Sequence, residues 1–112
     1  MYVYNITNIR VIDGDTIEAT LQLGLNISIR RKIRLYDVDT WEMRGVNKEK
    51  GKLAKKALKN YLKGREKSTS VQTIKDKSGK YGRLLGIIHC HGFDVNKAMS
   101  MYWSKTDEQE PD

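Results

Sequence analysis

The sequence is poor in the residues that build cross-linked or membrane-spanning proteins. It has a single cysteine, Cys90, so no disulfide can form within the chain. No apolar run approaches the roughly 18 residues of a spanning helix, and the N-terminus lacks a basic region followed by an apolar block. We therefore expect no membrane among the partners, and the absence of an export signal favours a cytoplasmic location over a secreted one. Cys90 ends an apolar run, so a buried, inert thiol is expected.

Negative charge is also scarce. The chain has 14 acids against 21 lysines and arginines, a net charge of +7 and a pI near 9.5. Four of the acids lie in residues 106–112, so residues 1–105 carry +11, four more than the whole chain. This excess favours a polyanionic partner, with nucleic acid preferred over an anionic membrane surface. The length of 112 residues fits one domain, predicted at 1–105, followed by an acidic disordered tail at 106–112.

Apolar periodicity predicts an α+β fold. Residues alternate in three strands up to Leu35, with a change of phase near Thr7 that indicates a bulge and a hairpin turn at Gly24. A helical stripe at 47–63 includes Leu53 and Leu58. Two further strands are predicted at 71–76 and 84–89, and a last helix with Asp94 as its cap has an apolar face of Val95, Ala98, Met99 and Tyr102. A five-stranded β-barrel with two packed helices would leave no exposed edges.

Two acidic turns lie at the ends of these strands. The first contains Asp15, and the second, at the end of the stretch 34–42, contains Asp39 and Thr40. All three residues offer oxygen ligands, which suit calcium or magnesium and disfavour zinc. The alternative is that each is an ordinary solvated turn.

The neighbouring residues suit hydrolysis of a phosphodiester. This reaction needs a base to orient or deprotonate water and positive charge at the phosphoryl oxygens. Glu42 is the candidate base, and Arg34 and Arg83 are candidates for holding the phosphate, because a guanidinium donates two parallel hydrogen bonds.

Four ordered segments together resemble the signature of the staphylococcal nuclease (thermonuclease) family. They are VIDGDTI at 11–17, RLYDVDTWE at 34–42, YGR at 81–83 and VNKA at 95–98. The resemblance implies an OB-fold barrel and calcium-dependent hydrolysis of DNA or RNA. In that family the 5′ P–O bond is cut, which leaves 3′-phosphate ends.

The resemblance also implies a role for each matched residue. The metal ligands would be the side chains of Asp15 and Asp39 and the backbone carbonyl of Thr40, with Asp13 ordering metal-bound water. The residues acting on the phosphates would be the general base Glu42, the phosphate-binding Arg34 and Arg83, and Lys80 and Tyr81 at a terminal phosphate.

This sequence departs from the family pattern at several positions. Trp41 stands where proline is common, and Asp37 adds a third carboxylate near Asp39. The aromatic stacking segment and final helix of longer members have no counterpart, so weaker base binding is expected. Either Tyr102 or Trp103 could replace that stacking, although core packing is the more common role of aromatic residues.

Two other functions and one mode of assembly stay open. The chain could be a catalytically weak or inactive nuclease-like module that only binds nucleic acid, or a basic interaction domain for a protein or membrane surface. Relatives that are secreted leave location open as well. An apolar surface around Met99, Met101 and Trp103 predicts either a monomer or weak self-association.

Overall fold

A computed structural model describes residues 2–74 and 84–105, except for the side chain of Glu66. Within these ranges the chain forms, in order, the following elements: β1 (Val3–Asp13), β2 (Thr16–Gly24), β3 (Ile27–Leu35), α1 (Lys48–Leu62), β4 (Thr69–Ile74), β5 (Leu84–Cys90), β6 (Phe93–Asp94) and α2 (Val95–Tyr102). Neither helix of this described part is long and apolar enough to cross a membrane.

The strands β1 to β5 close into a barrel. They lie in the order β3-β2-β1-β4-β5, and β5 returns to pair with β3 in parallel, with Ile33 opposite Leu84. The short β6 pairs with the end of β5. The prediction of a five-stranded OB-fold barrel with two helices is therefore confirmed.

Irregularities in the strands fall where the sequence pattern changes phase. The register of β1 against β2 shifts between Thr7 and Arg10, and Asn8 has a φ of 50°. The bulge predicted near Thr7 is thus present. The hairpin turn predicted at Gly24 falls on Leu25 and Asn26, which both have positive φ, as tight hairpins of right-handed twist require.

The core lies inside the barrel and beneath α1. Alternate residues of β2 (Ile17, Ala19, Leu21) are at most 1% exposed, and α1 adds a buried stripe that includes Leu58. Cys90 is buried as predicted, with its Sγ 3.2 Å from Thr69 Oγ1.

Burial corrects three predictions about the helices. Leu53, placed on the inner face of α1, is 55% exposed, because Ala54 and Leu58 form the centre of the buried stripe. Tyr102 is likewise exposed. Met99 is fully buried, so it cannot belong to a self-association surface, whereas Met101 is 62% exposed.

Element boundaries differ little from those predicted. The fourth strand begins at Thr69 rather than residue 71, and the fifth extends one residue further, to Cys90. Asp94 caps α2 as predicted, since its Oδ1 accepts a hydrogen bond from Lys97 N at 2.9 Å. The predicted tail at 106–112 lies outside the described residues.

Candidate active site

The first acidic turn joins β1 to β2 and is tightly packed. Asp15 N donates to Asp13 Oδ1 at 3.1 Å, which fixes the two acids relative to each other. A Cβ at Gly14 would lie 2.6 Å from Thr40 Oγ1 and 2.7 Å from Ala54 Cβ. Only glycine allows this approach, so the first turn rests directly on the second acidic turn and on α1.

The second acidic turn belongs to residues 36–44, which we call the acidic loop. Its first residue, Tyr36, donates its N–H to Gly86 O at 2.9 Å, and Tyr36 O accepts from Asn96 Nδ2 at 2.9 Å. Asn96 is buried in α2 and its Oδ1 also accepts from Ile88 N at 2.9 Å. One asparagine thus joins the start of the acidic loop to the middle of β5, which gives the 95–98 segment a structural role.

The far end of the acidic loop rests on α1. The carbonyl of Glu42 occupies the place that a Cβ at Gly51 would take, and Trp41 O would be 2.7 Å from that Cβ. Gly51 is buried for this reason. Glu42 itself is exposed, so the loop presents its carboxylate while the backbone beneath it is held by the helix.

A guanidinium joins the two acidic turns. Arg34 Nη1 is 2.7 Å from Asp15 Oδ2, and its Nη2 donates to Val38 O at 3.0 Å and lies 3.7 Å from Asp39 Oδ1. Thr40 N also donates to Asp15 Oδ2, at 3.3 Å. Asp15 therefore accepts from both the end of β3 and the acidic loop.

These residues line a single polar cavity of about 230 Å³. Six of the nine predicted site residues line it: Asp13, Asp15, Arg34, Asp39, Thr40 and Glu42. The other three, Lys80, Tyr81 and Arg83, lie outside the described residues. The two acidic turns, distant in sequence, thus meet with one arginine between them.

The electrostatics of the cavity centre on Asp15. Burial raises the pKa of this carboxyl to about 6, helped by a hydrogen bond and charge repulsion from Asp13, while Arg34 and the Thr40 N–H act in the opposite direction. The positive charge of Arg34 therefore compensates the buried negative charge of Asp15 only in part. The uncompensated part would favour binding of a metal cation in the cavity.

The oxygen ligands in the cavity are compatible with a hard cation that takes only a few of its ligands from the protein. Among the described residues, no three His, Cys, Asp or Glu side chains group closely enough to hold a metal ion on their own. Asp15 and Asp39 line the cavity with Thr40, and calcium accepts carbonyl oxygens and waters beside carboxylates. The residues fit a loosely held, all-oxygen site, with water or substrate supplying the other ligands.

Two residues after α2 also contact this site, and sequence reasoning missed them. Lys105 Nζ is 3.7 Å from Asp39 Oδ1, and Lys105 N donates to Asp39 O at 2.8 Å. Ser104 Oγ accepts from Asp39 N at 3.3 Å. These contacts join residues at least 65 positions apart, and no local pattern marks either Ser104 or Lys105.

Replacing Asp15 by asparagine should make stability less dependent on pH. The folded-state pKa of Asp15 is above its ordinary value of 3.8, so its protonated form stabilises the fold below about pH 4, and this contribution is lost as pH rises through about 6. The shift corresponds to about 3 kcal/mol at neutral pH. Urea unfolding in chelator should show Asp15→Asn gaining about that much relative to the unmodified chain between pH 4 and pH 7. A difference that stays constant across this range would contradict the assignment.

Comparison with known proteins agrees with this geometry. No curated protein matched the chain. A family model described as "Staphylococcal nuclease homologue" matches residues 32–102, more than half of the sequence, and this span includes the end of β3, the acidic loop and both helices. The barrel closed by β3 and β5, the acidic loop and this match together show that the chain belongs to the staphylococcal nuclease homologue family.

Proposed function

We propose that this nuclease-like module is an active, calcium-dependent nuclease that hydrolyses single-stranded DNA or RNA at the 5′ P–O bond and leaves 3′-phosphate ends. The observation that supports it best is the single cavity lined by Asp15, Asp39, Glu42 and Arg34, in which the guanidinium of Arg34 contacts Asp15. This reaction needs carboxylates that bind a metal ion, a carboxylate that orients the attacking water, and a positively charged group that binds the phosphate oxygens.

Each residue has a distinct task in the proposed reaction. Asp15, Asp39 and the carbonyl of Thr40 would hold calcium, which supplies Lewis-acid stabilisation of the phosphoryl oxygens when bound. Glu42, exposed at the cavity, orients the attacking water and accepts its proton. Arg34 donates to a phosphoryl oxygen, and because a guanidinium has five N–H donors it can do so while keeping its contact with Asp15.

The positive charge of the surface supports nucleic acid as the substrate. Six lysines of α1 lie outside its buried stripe. Residues 1–105 carry a net charge of +11, because four acids of the chain lie after residue 105. Such charge attracts a phosphate backbone without sequence preference and makes binding depend on salt.

One observation favours the alternative of an inactive binding module. Asp39 already has two cationic partners, Arg34 and Lys105, each at 3.7 Å, and a cation would compete with both. If these pairs persist in solution, the module would bind nucleic acid without cutting it.

Calcium dependence separates the two functions. Purified protein should degrade a labelled single-stranded DNA when calcium is present, and excess chelator should lower the rate by at least about a hundredfold, since a metal supplies several kcal/mol of charge stabilisation. End-group analysis should find phosphate on the 3′ ends. Activity that persists in chelator would remove the metal from the proposal, and tight binding with no cleavage would establish the binding module.

A further inference from the structure

Trp41 separates the catalytic cavity from a second one. This second cavity, of about 240 Å³, is lined by Trp41, Lys50, Leu53, Tyr102, Trp103 and Ser104, and we call it the aromatic pocket. Trp41 lines both cavities. A ligand that reaches from one to the other would therefore pass along Trp41.

Two ammonium groups lie against this indole. Lys50 Nζ is 5.1 Å and Lys105 Nζ is 5.7 Å from the ring centroid. Lys105 also lies 3.7 Å from Asp39 Oδ1, so the cations extend from the aromatic pocket into the catalytic cavity. The arrangement combines a flat aromatic surface with positive charge, which is the pair of features that single-stranded nucleic acids bind.

The exposed apolar residues at the pocket suit the same ligand. Leu53 is 55% and Tyr102 is 70% exposed, although both fall on apolar positions of their helices. Neither is needed by the core, and together with the half-buried Trp103 they leave an apolar recess at the surface. The lysines beside it favour a base with its phosphates over an apolar protein segment.

We propose that the aromatic pocket is a base-stacking subsite, in which an unpaired nucleobase next to the reacting phosphate stacks on Trp41. The base displaces the ammonium group that covers the ring face on which it stacks, and Lys50 and Lys105 then neutralise phosphates on either side of that nucleotide. The subsite restricts the substrate to single strands, because a base within a duplex has its faces covered. This inference rests on the proposed function for the identity of the neighbouring phosphate, whereas the stacking contact itself can be measured without cleavage.

Binding to short oligonucleotides tests the stacking contact. In a Glu42→Gln background with calcium present, a labelled hexathymidylate and strands with one abasic position are titrated by fluorescence anisotropy. Trp41→Ala should weaken binding of the intact strand by about tenfold to a hundredfold, and Trp41→Phe should keep most of the affinity, because stacking is worth this much per base. One abasic position should cause the same loss, and that loss should vanish in Trp41→Ala.

A charge variant keeps the test decisive if Trp41→Ala fails to fold. Lys50→Met should weaken binding several-fold and lower the salt dependence by about one phosphate contact. Lys56→Met, on an exposed face of the same helix and outside the pocket, should change less. Equal losses at both lysines, or equal losses at every abasic position, would overturn the subsite.

The outcomes also separate this inference from the nuclease proposal. Cleavage with an unchanged affinity in Trp41→Ala would reject the subsite and leave the nuclease standing. Binding that depends on Trp41 and on one base, in a protein that cuts nothing with calcium, would support the subsite and reject the nuclease.

Discussion

Replacing Glu42 by glutamine is expected to lower kcat for single-stranded DNA by about a hundredfold to ten-thousandfold, with little change in KM. Glutamine has nearly the same shape but cannot accept a proton from water. Because Glu42 is exposed and its backbone is held by α1, the variant should fold as the unmodified chain does. Steady-state hydrolysis in saturating calcium measures the effect.

The chain offers a matched control for this change. Glu49 lies in the first turn of α1, is exposed, and forms a surface ion pair with Lys52 at 3.8 Å. Glu49→Gln should therefore hydrolyse DNA at the rate of the unmodified protein. If the two variants were equally active, Glu42 would not be the base, and the binding-module alternative would gain support.

Replacing Arg34 by lysine should lower kcat/KM by about a hundredfold, although the charge is kept. The guanidinium contacts Asp15 at 2.7 Å and Val38 O at 3.0 Å through two different nitrogens. A single ammonium cannot make both contacts and also donate to a phosphoryl oxygen with the same geometry.

The control for Arg34 comes from the same strand. Arg30 contacts Glu18 Oε1 at 3.3 Å and Asn8 O at 2.8 Å on the outer surface of the barrel, and it does not line the polar cavity that contains Asp15. Arg30→Lys also replaces a planar guanidinium by an ammonium group, but it should keep nearly the full kcat/KM per folded molecule. Similar losses of kcat/KM in both variants would show that the arginines of β3 stabilise the fold and that Arg34 does not bind the phosphate.

The barrel was predictable from sequence because it depends on local patterns. Alternation in β2, the phase change near Thr7 and the cap at Asp94 each need only neighbouring residues. The periodicity placed the two acidic turns at strand ends, and the resemblance to the nuclease family implied that they share one site. The contact between Asp15 and Arg34 follows from the pairing of Thr16 with Arg34 across β2 and β3.

The features that could not be predicted from the sequence depend on how the helices pack against the barrel. A helical stripe has two edges, and only packing decides that Leu53 is exposed and Met99 is buried. The contacts of Ser104 and Lys105 with Asp39 depend on where α2 ends relative to the acidic loop. The same docking places Trp41 beside Trp103, so the aromatic pocket has no signature along the chain.

The contact between Gly51 and the Glu42 carbonyl explains how a tryptophan can stand at position 41. Proline stiffens a turn from within, by fixing its own φ. Here the turn is braced from outside, by a helix that lies directly against two consecutive carbonyls. Because the helix determines the shape of the turn, position 41 does not require proline. A tryptophan can therefore stand there, and its side chain can take part in the proposed base stacking.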